Sequence, residues 1–404
     1  MTVKILRGDN RNTLKTLEDK SIHTVVTSPP YWGLRDYGTA TWEGGDPDCD
    51  HVANPQATKK MGNEEFNKNR PSREETKTKG YYENICPKCG ARRIDNQLGL
   101  EETPEKYVNN LVDVFREIKR VLRDDGTVWL NLGDSYLSQP AGNKKPSGFS
   151  QTRPSRIKNG VGTETVALPK KRQIAGLKTK DLVGMPWRVA FALQQDGWYL
   201  RQDIIWHKPN PMPESVKDRC TKAHEYIFLL SKSSKYYFDN ESIKEPITDS
   251  TAKRLLQKNI DNQKGSERAH AGEKPNGNMK ALGRKKFDSS MGGGGTSFVG
   301  HSGYKKSDGS YMISPTRNKR SVWTVTTKPF KEAHFATFPM DLIEPCILAG
   351  CPEAGTVLDP FGGAGTTGIV ASNHNRNAIL CELNDEYSDI AEKRIESNLP
   401  LFAG

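Results

Sequence analysis

Residues 355–371 read GTVLDPFGGAGTTGIVA, which places a short apolar strand, a glycine-rich turn and a helix start in immediate succession. A strand that turns through glycines straight into a helix opens a βαβ unit. Such units assemble into a mostly parallel sheet that binds ligands at the carboxyl ends of its strands. Gly362, Gly363 and Gly365 let the backbone turn tightly and approach a ligand with no Cβ in the way. The turn lacks the Lys-Ser/Thr ending of a phosphate-cradling loop and departs from GxGxxG, and a purely structural turn would read the same way. Glu382, at the end of the next strand in AILCEL, adds to it. One βαβ step beyond a glycine-rich turn is where a carboxylate accepts hydrogen bonds from both hydroxyls of a ribose. Together the two features point to an adenosine-type cofactor.

The same grammar recurs elsewhere. The stretch VKILRGDNRNTLKTLEDKSIHTVVTSPPYW predicts strand, turn, short helix and a strand at 23–27. In TPEKYVNNLVDVFREIKRVLRDDGTVWLNLGD, apolar residues at Val108, Leu111, Val112, Phe115, Ile118 and Leu122 share a helix face. Thr103 serves there as N-cap, Pro104 opens the helix, Asp125-Gly126 stops it, and 127–132 is a strand. Further strands are expected at 199–207, 225–231, 356–359 and 378–382, with a helix in MDLIEPCILAG and another at the end of the chain. The fold class is therefore α/β, a Rossmann-like doubly wound, mostly parallel sheet. The segments divide as 1–41, 105–137, 181–240 and 321–404 for the core, 42–104 for an insertion, 138–180 for a basic flexible loop and 241–320 for a basic target-recognition region.

A second motif ends the strand at 23–27: Thr27-Ser28-Pro29-Pro30-Tyr31-Trp32. Two prolines fix the backbone and remove two donors, so the carbonyls of Ser28 and Pro29 can face a cleft as preorganised acceptors. Two such acceptors suit an exocyclic amine, whose lone pair is delocalised into its ring until both N–H groups are bound and the nitrogen turns pyramidal. Tyr31 would stack on a base extruded from its helix. Taken alone, Pro-Pro-aromatic is equally a rigid loop or a ligand for another protein.

Set at a strand end in a chain that also carries DPFGGAGTT, these residues resemble the amino-methylating DNA methyltransferases. That family's catalytic tetrapeptide, [DNS]-PP-[YFW], is matched by residues 28–31, and its FxGxG-like cofactor motif by residues 361–365. The order, tetrapeptide before cofactor motif, is that of the β subgroup. The resemblance implies transfer of a methyl group from S-adenosylmethionine to the exocyclic amine of a flipped base in double-stranded DNA. Asp359, Phe361, Gly363 and Gly365 would line the cofactor site, with Glu382 on the ribose. The segment before the cofactor motif, which contacts the methionine moiety, matches HFATFP and so includes Phe335 and Thr337. Asp9 falls where the family keeps an acidic group near the adenine ring, and a turn-forming role fits it nearly as well. Ser-Pro-Pro-Tyr favours cytosine N4 over adenine N6. A cognate restriction endonuclease is a second partner the resemblance admits.

Within the insertion, Cys49-x-His51 and Cys86-x-x-Cys89 offer four ligands for a closed tetrahedral zinc site, a structural staple for a segment with little core; unrelated reduced thiols are the alternative. Cys220, Cys346, Cys351 and Cys381 read as buried small hydrophobes. The chain carries 60 Lys+Arg against 49 Asp+Glu, a net charge of +11, which favours a polyanionic partner. The basic tracts, with Arg284, Lys285 and Lys286 as candidate phosphate clamps, are expected to order on DNA. No apolar run approaches the roughly 20 residues of a membrane span, and the opening MTVKILRGDN lacks a signal peptide's apolar region, so we expect a cytoplasmic, bacterial or phage-encoded protein with no membrane contact. A different class of reading is a zinc-stapled DNA-binding module on a decayed, non-catalytic fold.

Overall fold

The structure, a computed structural model, describes residues 1–33, 39–51, 85–137, 176–250, 253, 316–328 and 338–398. The chain forms two compact units, Met1–Tyr237 with Val322–Gly404, and Phe238–Ser321.

The first unit is built on an eight-stranded sheet. In chain order its strands are β1 (Val3–Arg7), β2 (Ile22–Thr27), β5 (Leu122–Leu132), β6 (Tyr199–His207), β7 (His224–Ser231), β10 (Val322–Thr324), β11 (Thr356–Asp359) and β12 (Asn377–Glu382). Two short strands, β3 (Thr41–Glu43) and β4 (Arg92–Ile94), pair antiparallel in the insertion. In the second unit, β8 (Glu245–Pro246) and β9 (Thr316–Arg317) also pair antiparallel, with Glu245 set among Arg317, Lys319 and Arg320. The large sheet runs β1-β12-β11-β2-β5-β7-β6-β10. Every neighbouring pair is parallel except the two involving β7, which runs antiparallel to β5 and β6.

Helices cover both faces of the sheet, as alternation along the strands demands. Val25, Val128 and Leu130 share a buried cluster with Leu111, Phe115 and Ile118 of α2 (Pro104–Val121) and with Val189 and Leu193 of α3 (Met185–Gln195). The intervening side chains Thr24, Thr127 and Trp129 face the helix Met340–Gly350 on the other side, numbered α4 here. A Cβ on its Gly350 would come within 2.6–2.8 Å of all three. Beyond α4 lie α5 (Thr366–Asn373) and α6 (Asp385–Asn398), while α1 (Asn10–Thr13) is a single turn after β1. The sheet is thus mostly parallel and doubly wound.

The expected elements are present, with strand starts shifted by one residue at Ile22, His224 and Asn377. Thr103 Oγ1 accepts from the Lys106 amide at 3.2 Å and caps α2, an interaction worth about 1 kcal/mol. One boundary differs. The helix ends at Val121, and Asp125-Gly126 lies inside β5. Register with β2 jumps from Ile22↔Leu122 to Thr24↔Thr127, so the extra residues loop out and Gly126 closes the irregularity. A Cβ there would meet Leu122 Cγ at 2.6 Å and the His23 carbonyl at 2.9 Å.

Candidate active site

Four adjacent parallel strands, β1, β12, β11 and β2, end on the same edge of the sheet, and the residue following each is one the sequence singles out or lies beside one. These strand ends and the loops after them bring Asp9, Glu382, Phe361 and Ser28 around one cleft, which holds about 1030 Å³ of empty space including its mouth. The N-terminal and C-terminal motifs therefore share a site, because β2 and β11 are sheet neighbours although more than 300 residues separate them.

The glycine turn is fixed by its backbone. Gly363 has φ +49° and Gly365 φ +78°, conformations that disfavour L side chains. Gly365 also sits against α6, where a Cβ would be 3.0 Å from Ala391 Cβ. Gly363 presents bare backbone to the cleft, and its amide donates to Glu382 Oε2 at 2.7 Å. Glu382 Oε1 accepts from the Asn384 amide at 2.8 Å. The Glu382 carboxylate is half-buried, and burial raises its pKa although those two amides oppose the shift. Each oxygen keeps a second lone pair for a ligand hydroxyl.

Asp359 plays a different part from Glu382. It lines the cleft, but it is buried and its oxygens serve the protein: Oδ1 accepts from Thr27 Oγ1 at 2.6 Å and from the Phe361 amide at 3.1 Å, and Oδ2 from Thr367 Oγ1 at 2.7 Å. It is a strut that ties β2 to the glycine turn. Burial pushes its carboxyl up to about 6 from an ordinary 3.8. The folded state holds this proton more tightly than the unfolded chain, so the stability it contributes is complete below about 3.8 and is lost as pH rises through about 6. We expect Asp359→Asn, which keeps one acceptor oxygen and removes the titration, to flatten that part of the stability profile. Thermal melts of both proteins between pH 4 and 8 check this, and an unchanged difference between the two ends of the range would refute it.

Asp9 also lines the cleft, yet its carboxylate is engaged. It caps α1 through the Arg11 amide at 2.9 Å and pairs with the Arg11 guanidinium at 2.5 Å. The turn-forming role is what the geometry displays. Its neighbour Asn10, which the sequence did not single out, donates from Nδ2 to the Pro360 carbonyl at 3.0 Å and so joins the β1 loop to the glycine turn. Phe335 and Thr337 lie outside the described residues; Phe338, from the same motif, lines the cleft.

In the loop after β2, Ser28 and Pro30 line the cleft, Pro29 is buried, and Tyr31 stands half-buried beside them. The Pro30 carbonyl accepts from Tyr107 Oη at 2.8 Å. Tyr31 Oη donates to Glu225 Oε2 at 2.8 Å, with Asn131 Oδ1 at 3.2 Å and Ser28 Oγ at 3.5 Å. Glu225 in turn pairs with Lys208. The ring lies against Gly133, where any Cβ would fall 2.5 Å from Tyr31 Cε2. Burial, reinforced by the Glu225 charge, drives the Tyr31 pKa well above its ordinary value, so the phenol stays a neutral donor. Glu225, Asn131 and Gly133 were missed in the sequence. Gly133 and Asn131 fall in LNLGD at the end of β5, a strand end that could have drawn attention; Glu225, near the start of an antiparallel strand, left no signal.

In the insertion, Cys49, His51, Cys86 and Cys89 gather with their ligand atoms within 4.8 Å of one another. Cys49 Sγ is 3.8 Å from Cys86 Sγ, and Cys89 Sγ is 3.6 Å from His51 Nδ1. A tetrahedral zinc with bonds of about 2.3 Å to sulfur and about 2.0–2.1 Å to nitrogen would set those edges at about 3.8 and about 3.6 Å. Trp42 stacks on the His51 ring at 4.4 Å and fixes its plane. Of the other cysteines, Cys346, Cys351 and Cys381 are buried, whereas Cys220 is exposed, contrary to expectation, on the polar loop before β7. Arg284, Lys285 and Lys286 lie outside the described residues. No helix among the described residues is long and apolar enough to cross a membrane.

A parallel sheet whose strand ends converge a glycine turn and Ser-Pro-Pro-Tyr on one cleft defines a class, and sequence comparison agrees. The profile of the DNA methylase family, the N6 and N4 amino-methyltransferases, matches residues 22–393, and the chain belongs to that family. It is similar to the Type II methyltransferase M.Cfr9I of Citrobacter freundii, 36% identical over 392 residues that cover 97% of this chain and 87% of that protein. M.SmaI of Serratia marcescens is likewise 36% identical, over 97% of this chain and 90% of its own length. Among solved structures, the cytosine-N4-specific PvuII DNA methyltransferase aligns with a TM-score of 0.49 at 14% identity, covering 98% of this chain and 91% of that one.

Proposed function

We propose that the chain methylates the exocyclic amine of a base flipped out of double-stranded DNA, cytosine N4 in preference to adenine N6, with S-adenosylmethionine as donor. One observation carries the reading: Ser28 and Pro30 share a cleft with Gly363 and Glu382. The residues fit the cofactor. Glu382 has lone pairs to spare for the ribose, Gly363 offers open backbone, and Phe361, Leu98 and Phe338 supply apolar wall. Bound there, the sulfonium supplies an electrophilic methyl group that needs no Lewis acid.

The chain's own residues do the rest. The Ser28 and Pro29 carbonyls are the proposed acceptors for the amine's two N–H groups, while the Pro30 carbonyl already accepts from Tyr107. Holding both would turn the nitrogen pyramidal, with its lone pair free toward the methyl group that the bound cofactor would supply as its carbon–sulfur bond breaks, one N–H proton then being lost to solvent. Tyr31, tethered at its hydroxyl by Glu225, keeps a fixed ring face for the base. Ser28 brings no negative charge, and the family's association of Ser-Pro-Pro-Tyr with cytosine supports N4. The test is transfer of labelled methyl groups to duplex DNA followed by nucleoside analysis. N4-methylcytosine is expected; N6-methyladenine would correct the base, and label confined to RNA or protein would reject the function.

The cysteine-histidine cluster is assigned a structural zinc, since four protein donors complete a tetrahedral shell and leave no open position for substrate. We expect about one zinc per chain in protein purified without added metal, and a content far below that would remove the site. The names of the relatives favour a restriction endonuclease as the cognate partner. The basic segments at 138–180 and 241–320, most of which lie outside the described residues, are the proposed DNA-contacting regions.

A further inference from the structure

The metal cluster and the cofactor cleft stand at opposite ends of the same pair of strands. β3 and β4 pair through Thr41↔Ile94, Trp42↔Arg93 and Glu43↔Arg92. At one end, Cys49 and His51 follow β3 while Cys86 and Cys89 precede β4, and an isolated bridge, Ile85↔Arg92, continues the pairing toward the knuckle. At the other end, Thr39 precedes β3, and Asn96, Gln97 and Leu98 follow β4. All four of these residues line the cleft. The strands are three residues long, so each spans only roughly 10 Å between its cluster end and its cleft end.

A two-stranded pair of this length is not stable in water by itself. Its cleft end has an attachment to the core, the Asn96 carbonyl accepting from Arg11 Nη2 at 3.1 Å, and Arg11 is the residue bound to Asp9 on the same cleft. Further on, the Gly99 carbonyl accepts from the Gly33 amide at 2.7 Å, and a Cβ on Gly99 would be 3.0 Å from the Tyr31 carbonyl. The segment after β4 thus passes from the cofactor wall to the back of the Ser-Pro-Pro-Tyr loop. Its far end is held by the core, and its near end is held jointly by Arg11 on the Asn96 carbonyl and by strands whose other anchor is the cluster.

We infer that a metal held by Cys49, His51, Cys86 and Cys89 sets the affinity of the cleft for its adenosine cofactor, because the strands that carry the ligands also carry a wall of the cleft. This rests on reading the cleft as the cofactor site. Metal binding fixes β3 against β4 and so places Thr39, Asn96, Gln97 and Leu98. Without it the wall must be ordered at the expense of cofactor binding. Linkage makes the effect reciprocal: the cofactor raises zinc affinity by the factor that zinc raises cofactor affinity.

The experiment is calorimetric titration of S-adenosylhomocysteine into the full chain as purified with zinc, after zinc removal by a chelator, and after zinc is restored, with thermal melts of each sample. We expect the stripped protein to bind at least about fivefold more weakly, near the lower end of the usual range of coupling, to recover with zinc, and to keep a cooperative melt of the main sheet. Cys89→Ser should copy the stripped state, whereas Cys89→His, which keeps four donors, should keep both zinc and affinity. Saturating S-adenosylhomocysteine should raise zinc affinity, measured by chelator competition, by the same factor. Equal affinity of loaded and stripped protein would overturn the inference, and so would loss of the cooperative melt on stripping, which would make the effect global. If the zinc-loaded protein binds no S-adenosylhomocysteine, it is the cofactor reading that fails instead.

Discussion

Tyr31→Ala is expected to lower kcat for DNA methylation by at least about 100-fold while S-adenosylhomocysteine affinity stays within about threefold. Stacking of a base on an aromatic ring is worth roughly 1–3 kcal/mol, and loss of the ring also releases the orientation that converts a bound amine into an attacking one. The structure makes the split between kcat and cofactor affinity a sharp expectation. Tyr31 is bound to Glu225 and packed on Gly133, and neither lines the cleft that holds Gly363 and Glu382. Tyr31→Phe separates ring from tether: it keeps the stacking face, loses one hydrogen bond to a half-buried carboxylate, and should cost only about tenfold. Stopped-flow or single-turnover methylation together with calorimetry provides both numbers. A Tyr31→Ala protein whose cofactor affinity falls as far as its rate would contradict the assigned role.

Glu382→Ala should show the opposite pattern, with S-adenosylhomocysteine binding weakened about 10- to 100-fold and kcat at saturating cofactor changed only a few-fold. Hydrogen bonds to a charged acceptor are worth about 1.5–3 kcal/mol, and each 1.4 kcal/mol is a factor of ten. The truncation also leaves the Gly363 and Asn384 amides without their acceptor, which loosens the glycine turn itself. Glu382→Gln retains one acceptor oxygen and should fall between wild type and alanine. Calorimetry across the three proteins measures the series, and an alanine variant that binds like wild type would place the ribose elsewhere.

Much of this site was legible because its parts sit at strand ends marked by their own chemistry. Gly363 and Gly365 announce positive φ, Pro29 and Pro30 announce a rigid loop, and Glu382 closes the strand that follows the glycine turn. The Cys-x-His and Cys-x-x-Cys pairs could be joined before any fold was known, because four soft donors in one polar segment have few other uses. What stayed hidden depends on which strands become neighbours. Nothing local links Tyr31 to Glu225, 194 residues away; the contact exists because β7 inserts antiparallel beside β5. The placement of Thr39, Asn96, Gln97 and Leu98 on the cleft is equally silent, since the insertion has no apolar period to reveal where its strands end. Asp359 was legible as a residue of the motif but not in its task. Only the packing of β2 beside β11 turns its carboxylate inward to Thr27 and Thr367.

The claim beneath all of this is that the loop after β2 and the turn after β11 are two walls of one reaction chamber. A crystal structure of the full chain with S-adenosylhomocysteine and a duplex bearing its target sequence addresses it directly. The account predicts the homocysteine sulfur between the glycine turn and Ser28, the ribose on Glu382, and an extruded cytosine on Tyr31 with its amine toward the Ser28 and Pro29 carbonyls. A cofactor bound away from Gly363, or a target base left stacked in the duplex while the sulfur faces solvent, would contradict it.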